Sequence, residues 1–124
     1  MIETTRLVLA FAWVALMLIY LLGDVLRVFA GHAEPGEIDG KPAKPWMWTV
    51  AASIQLVPII MILVTMLTPA ASLVWITVVV SALGAVFNIV GLPYKGFYDN
   101  MLIVVSLGVN VLIIWQALAW SPAG

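Results

Sequence analysis

Tyr20, Asp24 and Arg27 follow one another at spacings of four and three, so a helix through them carries all three on one face. An aspartate beside an arginine can be neutralised locally, and a tyrosine hydroxyl on the same face can donate to the carboxylate. Such a set can hold a polar ligand or a proton. Three amides, Gln55, Asn88 and Asn110, and a second acid, Asp99, lie in or against other strongly apolar stretches. An ionisable or amide side chain in apolar surroundings is costly unless it is paired. Asp24 therefore has two readings: a functional carboxylate, or half of an ion pair at the end of a helix, where Arg27 snorkels toward headgroups. The amides likewise have two: ligand contacts, or hydrogen-bonding glue between helices worth on the order of 1 kcal/mol or less each.

The elements that position these groups are four long apolar runs, about residues 7–30, 46–67, 71–92 and 98–120. Each is long enough to cross a hydrocarbon layer of ~30 Å as a helix of ~20 residues. Hydrophobic residues make up 65% of the 124-residue chain and charged residues 9%, with a mean hydropathy of +1.17. A soluble domain is excluded by these values. The expected fold is an all-α, integral membrane four-helix bundle forming a single membrane domain over residues 1–124. The first run exceeds the ~7–15 apolar residues of a signal-peptide core and has no convincing small-residue cleavage site after it, so it is expected to be retained as a span.

Between the first two runs, residues 31–45 hold three prolines, three glycines and five of the eleven charged residues, the composition of an aqueous loop. Thr68-Pro69-Ala70 is so short that spans two and three are expected to form an antiparallel hairpin. Residues 91–100 make the third turn, with Tyr94 and Tyr98 at interfacial depth and Asp99 near the start of the last helix, where the helix dipole favours an acid. Trp46, Trp48, Trp115 and Trp120 suit the membrane interfaces. Arg27, Lys41, Lys44 and Lys95 lie on the side of the two longer loops, and Arg6 lies on the side of the termini. That bias points to cytoplasmic loops, 31–45 and 93–97, and outward termini.

At 1.5 Å per residue, Gln55, Asn88 and Asn110 lie roughly 13, 6 and 18 Å below the loop-side ends of their helices. They share that half of the membrane with Tyr20, Asp24, Tyr98 and Asp99. If the faces converge, Tyr20, Asp24, Arg27, Gln55, Asn88, Asp99 and Asn110 line a polar cavity opening toward the longer loops. Pro58, three residues beyond Gln55, frees a backbone carbonyl in mid-span. It either kinks the helix for purely architectural reasons or lends that carbonyl to a site. Ser81, Gly84 and Asn88, and Ser106, Gly108 and Asn110, read as close-packing seams within the bundle or between protomers.

Several chemistries are set aside. No cysteine is present, which removes disulfides, thiolate metal sites and thiol redox chemistry. His32, the only histidine, stands among Glu34, Glu37 and Asp39 without a second imidazole or a recognised ligand spacing, so neither a metal site nor a cofactor is expected. A net charge of −1 and a pI near 5.6 supply no basic stripe for nucleic acid. No nucleophile elbow, phosphate loop or paired-carboxylate spacing occurs, and no enzyme activity is expected.

The stretch Trp13 to Asp24, ending Ile19-Tyr20-Leu21-Leu22-Gly23-Asp24, and the closing Ile113-Ile114-Trp115-Gln116-Ala117-Leu118-Ala119-Trp120 resemble a family of small four-span bacterial membrane proteins of uncharacterised function. That family is loosely like the DoxX-type bundles. The resemblance implies the four-span fold and emphasises Tyr20, Gly23 and Asp24, but it implies no activity. Small multidrug-resistance transporters have similar length and span number, yet they need a glutamate near the middle of the first helix. Phe11 to Leu18 contains no acid, so their mechanism does not carry over.

Two functional readings follow. One is an accessory or structural protein that sits in the lipid bilayer and oligomerises or binds a larger membrane partner through apolar and small-residue faces. The other is a transporter or binder of a small ligand or lipid, using a polar cavity near Asp24, Gln55, Asn88 and Asn110. The first needs the polar groups only as packing, and the second needs them to converge.

Overall fold

A computed structural model describes residues 3–38, 41–90 and 96–120 of the chain. Four helices fill almost all of it: α1 (Thr4–Phe29), α2 (Pro45–Leu67), α3 (Ala70–Val90) and α4 (Phe97–Ala119). All four are long and apolar enough to cross a membrane, and the protein is an all-α bundle of membrane-spanning type. In hydrocarbon no water competes for backbone groups, so a helix that satisfies its own amides is the low-cost solution for such a sequence. Residues 91 and 92, expected to close the third span, and Tyr94 and Lys95 lie outside the described residues.

Helix ends follow local chemistry. Gly31 adopts a left-handed φ of 79°, and the amides of His32 and Ala33 return to the Arg27 carbonyl at 2.9 and 3.2 Å, which stops α1. Residues 31–45, expected to be plain loop, include a short antiparallel ribbon, β1 (Glu37–Ile38) with β2 (Lys41–Pro42), pairing Glu37 with Pro42 and Ile38 with Lys41. Pro45 occupies the first turn of α2, where its missing N–H costs nothing. Pro58 lies inside α2, which continues through it to Leu67.

The packing differs from the expected hairpin arrangement. Contact is extensive between α1 and α2, α3 and α4, and α1 and α4, whereas α2 and α3 touch least although Thr68 and Pro69 join them directly. The hydrophobic core cluster lies in the half of the bundle nearest the termini, where Leu9, Ala12, Trp13 and Leu16 of α1 meet Met61 of α2 and Ile113 and Ala117 of α4; Ile103 of α4 is buried toward the other end. Leu73 and Thr77 of α3 are fully buried in the half nearest the termini. Toward the other end the bundle encloses a cavity, bordered by Tyr20, Asp24, Arg27, Gln55 and Asn88.

Candidate functional site

At the loop-side end of α1, Arg27 binds two acids from two helices. Its Nη1 donates to Asp24 Oδ1 at 2.7 Å and its Nε to Asp99 Oδ2 at 2.8 Å. Helical spacing sets the first pair, and the close approach of α1 and α4 sets the second. Gly23 makes that approach possible: a Cβ there would stand 3.2 Å from Arg27 Nη2 and 3.7 Å from the Leu102 side chain. Asp99 is only 2% exposed, and one of its oxygens, Oδ1, has no partner among the described residues. The Asp24 side chain is nearly half exposed, at 47%, and its second oxygen accepts from Gln55 Nε2 of α2 at 3.0 Å. Three helices thus meet in one charge cluster.

A second polar set ties α3 to α1 and α4. Asn88 Nδ2 donates to the Tyr20 hydroxyl at 2.9 Å and to Ser106 Oγ at 3.3 Å. Ser81 Oγ donates to Asn110 Oδ1 at 2.8 Å, and Asn110 Nδ2 donates to the Ser106 carbonyl at 3.1 Å. Gly84, one turn from Ser81, faces the same amide, with room for a Cβ 3.8 Å from Asn110 Oδ1. Both amides of this set act as interhelical glue.

They also help to line a cavity of about 470 Å³ in the unfilled half of the bundle. Tyr20, Asp24, Arg27, Gln55, Asn88 and Asn110 supply its polar lining. Ile54, Val57 and Pro58 of α2 line one apolar side and Val80, Leu83, Gly84 and Phe87 of α3 the other, the two helices that make least contact. Pro58 also leaves the carbonyl of Ile54, four residues earlier, without its usual helical donor. A volume of this size lies within the ~300–1,000 Å³ typical of small-molecule sites. Two lining residues carry buried polar atoms with no partner among the described residues, the indole N–H of Trp13 and the amide oxygen of Gln55.

Six of the seven expected site residues therefore line one cavity, and the seventh, Asp99, anchors Arg27 beside it. Tyr20 differs in detail from expectation: its hydroxyl meets Asn88 rather than the Asp24 carboxylate. Gly108 forms no seam within the chain, as nothing lies within 4 Å of where its Cβ would be. Sequence reasoning missed Trp13 and Leu16 as lining residues. Their signal was present, since 13, 16, 20, 24 and 27 step by three and four along a single helical face.

Two further polar sites lie outside the cavity. His32 Nδ1 and the Tyr98 hydroxyl are 2.8 Å apart, and the rings stack at 5.6 Å, which joins the end of α1 to the start of α4. At the opposite end of the bundle, Arg6 Nη1 donates to the Thr65 and Thr68 carbonyls at 2.6 and 2.7 Å and its guanidinium lies over the Trp120 ring at 5.3 Å. Among the described residues no three His, Cys, Asp or Glu side chains gather as a metal site would need. Comparison of the chain with known family models, curated proteins and solved structures finds no match. The site is interpreted from its own geometry.

Proposed function

We propose that the protein binds a small amphiphilic molecule within the membrane, with the polar end of the ligand at the Asp24, Arg27 and Gln55 cluster and its apolar body between α2 and α3. The observation that carries this reading is the convergence of six polar side chains from all four helices on one cavity. Glue alone does not require a cavity. The accessory reading accounts for the Asn88 and Asn110 bonds but leaves the half-exposed Asp24 and the unpaired Gln55 oxygen without a role.

The walls favour access from the bilayer. Ile54, Val57, Leu83 and Phe87 are all exposed apolar side chains flanking the weakest helix contact, where an amphiphile partitioned in lipid meets little obstruction. Binding is favoured over passage through the bundle, because the terminal half beneath the cavity is closed by the Leu9, Leu16, Met61 and Ile113 core. The Lys and Arg excess on the loop side supports a cavity mouth turned toward the cytoplasm of a bacterial cell.

Native mass spectrometry of the protein, extracted in mild detergent and left unstripped, tests the reading. A bound amphiphile should appear as a defined mass increment that is absent from the Gly84→Phe variant, whose new ring would fill the cavity. Unliganded wild-type protein that also takes up none of a panel of added single-chain amphiphiles would favour the accessory role, with oligomerisation or a membrane partner as its function.

A further inference from the structure

The hydrogen-bonding state of the cavity mouth assigns the sign of the ligand, if the cavity is a ligand site as proposed above. We infer that the ligand has a positively charged head carrying N–H groups, a protonated amine on an apolar body. Each nitrogen-bearing side chain at the mouth already donates at least once. Arg27 gives Nε to Asp99 and Nη1 to Asp24, the Gln55 amide nitrogen donates to Asp24, and the Asn88 amide nitrogen donates twice. Acceptors are in surplus. Asp24 receives one bond on each oxygen, at 2.7 and 3.0 Å, although a carboxylate offers about four acceptor positions, and its side chain remains nearly half exposed. Gln55 Oε1 has no partner among the described residues.

Charge points the same way. Two carboxylates around one guanidinium leave a formal charge of −1 in the cluster, and in a low-dielectric setting such an excess attracts a cation strongly. Trp13, Tyr20 and Phe87 are also among the lining residues, and aromatic faces stabilise a desolvated cation. An anionic head would meet the exposed Asp24 carboxylate and find Arg27 engaged. The Trp13 N–H has no partner among the described residues, and the Tyr20 hydroxyl, which accepts from Asn88, keeps its own proton to donate; both donors are neutral, and α1 carries Trp13 about three turns from Asp24. The indole suits an acceptor on the ligand body rather than a charged head.

The test places the full-length protein in discs of zwitterionic phosphatidylcholine and dialyses it to equilibrium against radiolabelled decylammonium, decyl sulfate or decanol. Empty discs and Gly84→Phe discs supply the backgrounds, so that only binding in the cavity is counted. Decylammonium should bind about ten-fold or more tighter than either other probe, and Asp24→Asn or Gln55→Leu should each weaken it by about ten-fold. Equal or tighter binding of decyl sulfate or decanol would overturn the charge assignment and leave the cavity reading intact. Absence of Gly84-sensitive binding for all three probes would overturn both.

Discussion

The two arginines of α1 stand at opposite ends of the same helix and do different work. Arg6 donates to backbone carbonyls at the end of α2, groups that a helix terminus leaves without partners, and it lies against Trp120. Below it the helices meet in a dry, filled core. Arg27 instead binds carboxylates on two helices and borders a cavity. One end of the bundle is built to stay closed, and the other keeps charged groups beside unfilled space. The difference separates two kinds of packing: apolar side chains in contact at one end, and at the other charged and amide groups beside unfilled space, the space to which the proposed ligand is assigned.

The largest expected effect comes from removing the cation of the open half. Arg27→Met leaves Asp99 buried without its partner and should lower stability by roughly 2–4 kcal/mol, measured by SDS titration in mixed micelles. Arg27→Lys should recover only part of this loss, because an ammonium lacks the fork that reaches two carboxylates. Arg6→Met, which leaves two carbonyls unpaired but strands no buried charge, should cost roughly 1–2 kcal/mol. An equal cost at the two ends would remove the distinction between them.

Packing gives the next contrast. Leu9→Ala in the filled half should cost about 2 kcal/mol, less than in a soluble core because the lost side chain loses contacts but not transfer from water. Leu83→Ala at the cavity wall should cost near zero in the same SDS titration. Asn110→Leu should cost about 1 kcal/mol, the worth of its hydrogen bonds to α3 and within α4. Smallest of all is the effect of the two fully buried threonines of the closed half, Thr65 and Thr77, whose hydroxyls have no partner among the described residues. Thr65→Val and Thr77→Val should leave stability unchanged or raise it by up to about 1 kcal/mol, whereas a loss would mean that the hydroxyls are bonded in the membrane.

Much of the loop-side half was legible because its polar residues are few and their spacing is helical. Tyr20, Asp24 and Arg27 declare a face, and the depths of Gln55, Asn88 and Asn110 place them between the loop-side surface and the middle region of the membrane. Partner choice was not legible. Nothing local distinguishes Tyr20 meeting Asp24 from Tyr20 meeting Asn88 across three helices, since that depends on how α3 tilts against α1. Nor does a short turn fix lateral packing: Thr68 and Pro69 force α2 and α3 to be antiparallel but leave them free to diverge, and that divergence makes the cavity. Arg6 as a clamp on α2 was hidden for the same reason, because its acceptors are carbonyls, which every residue possesses.

The central claim is that one half of the bundle is open and the other filled, and the absence of natural cysteine allows a direct measurement. Single cysteines at Gly84 and Val80, on the cavity lining, and at Ala12 and Ala117, in the filled core, would be treated in lipid discs with a small cationic thiol reagent. Rapid modification at Gly84→Cys and Val80→Cys, with protection at Ala12→Cys and Ala117→Cys, is the predicted result. Equal protection at all four positions would contradict it and leave the protein a uniformly packed bundle.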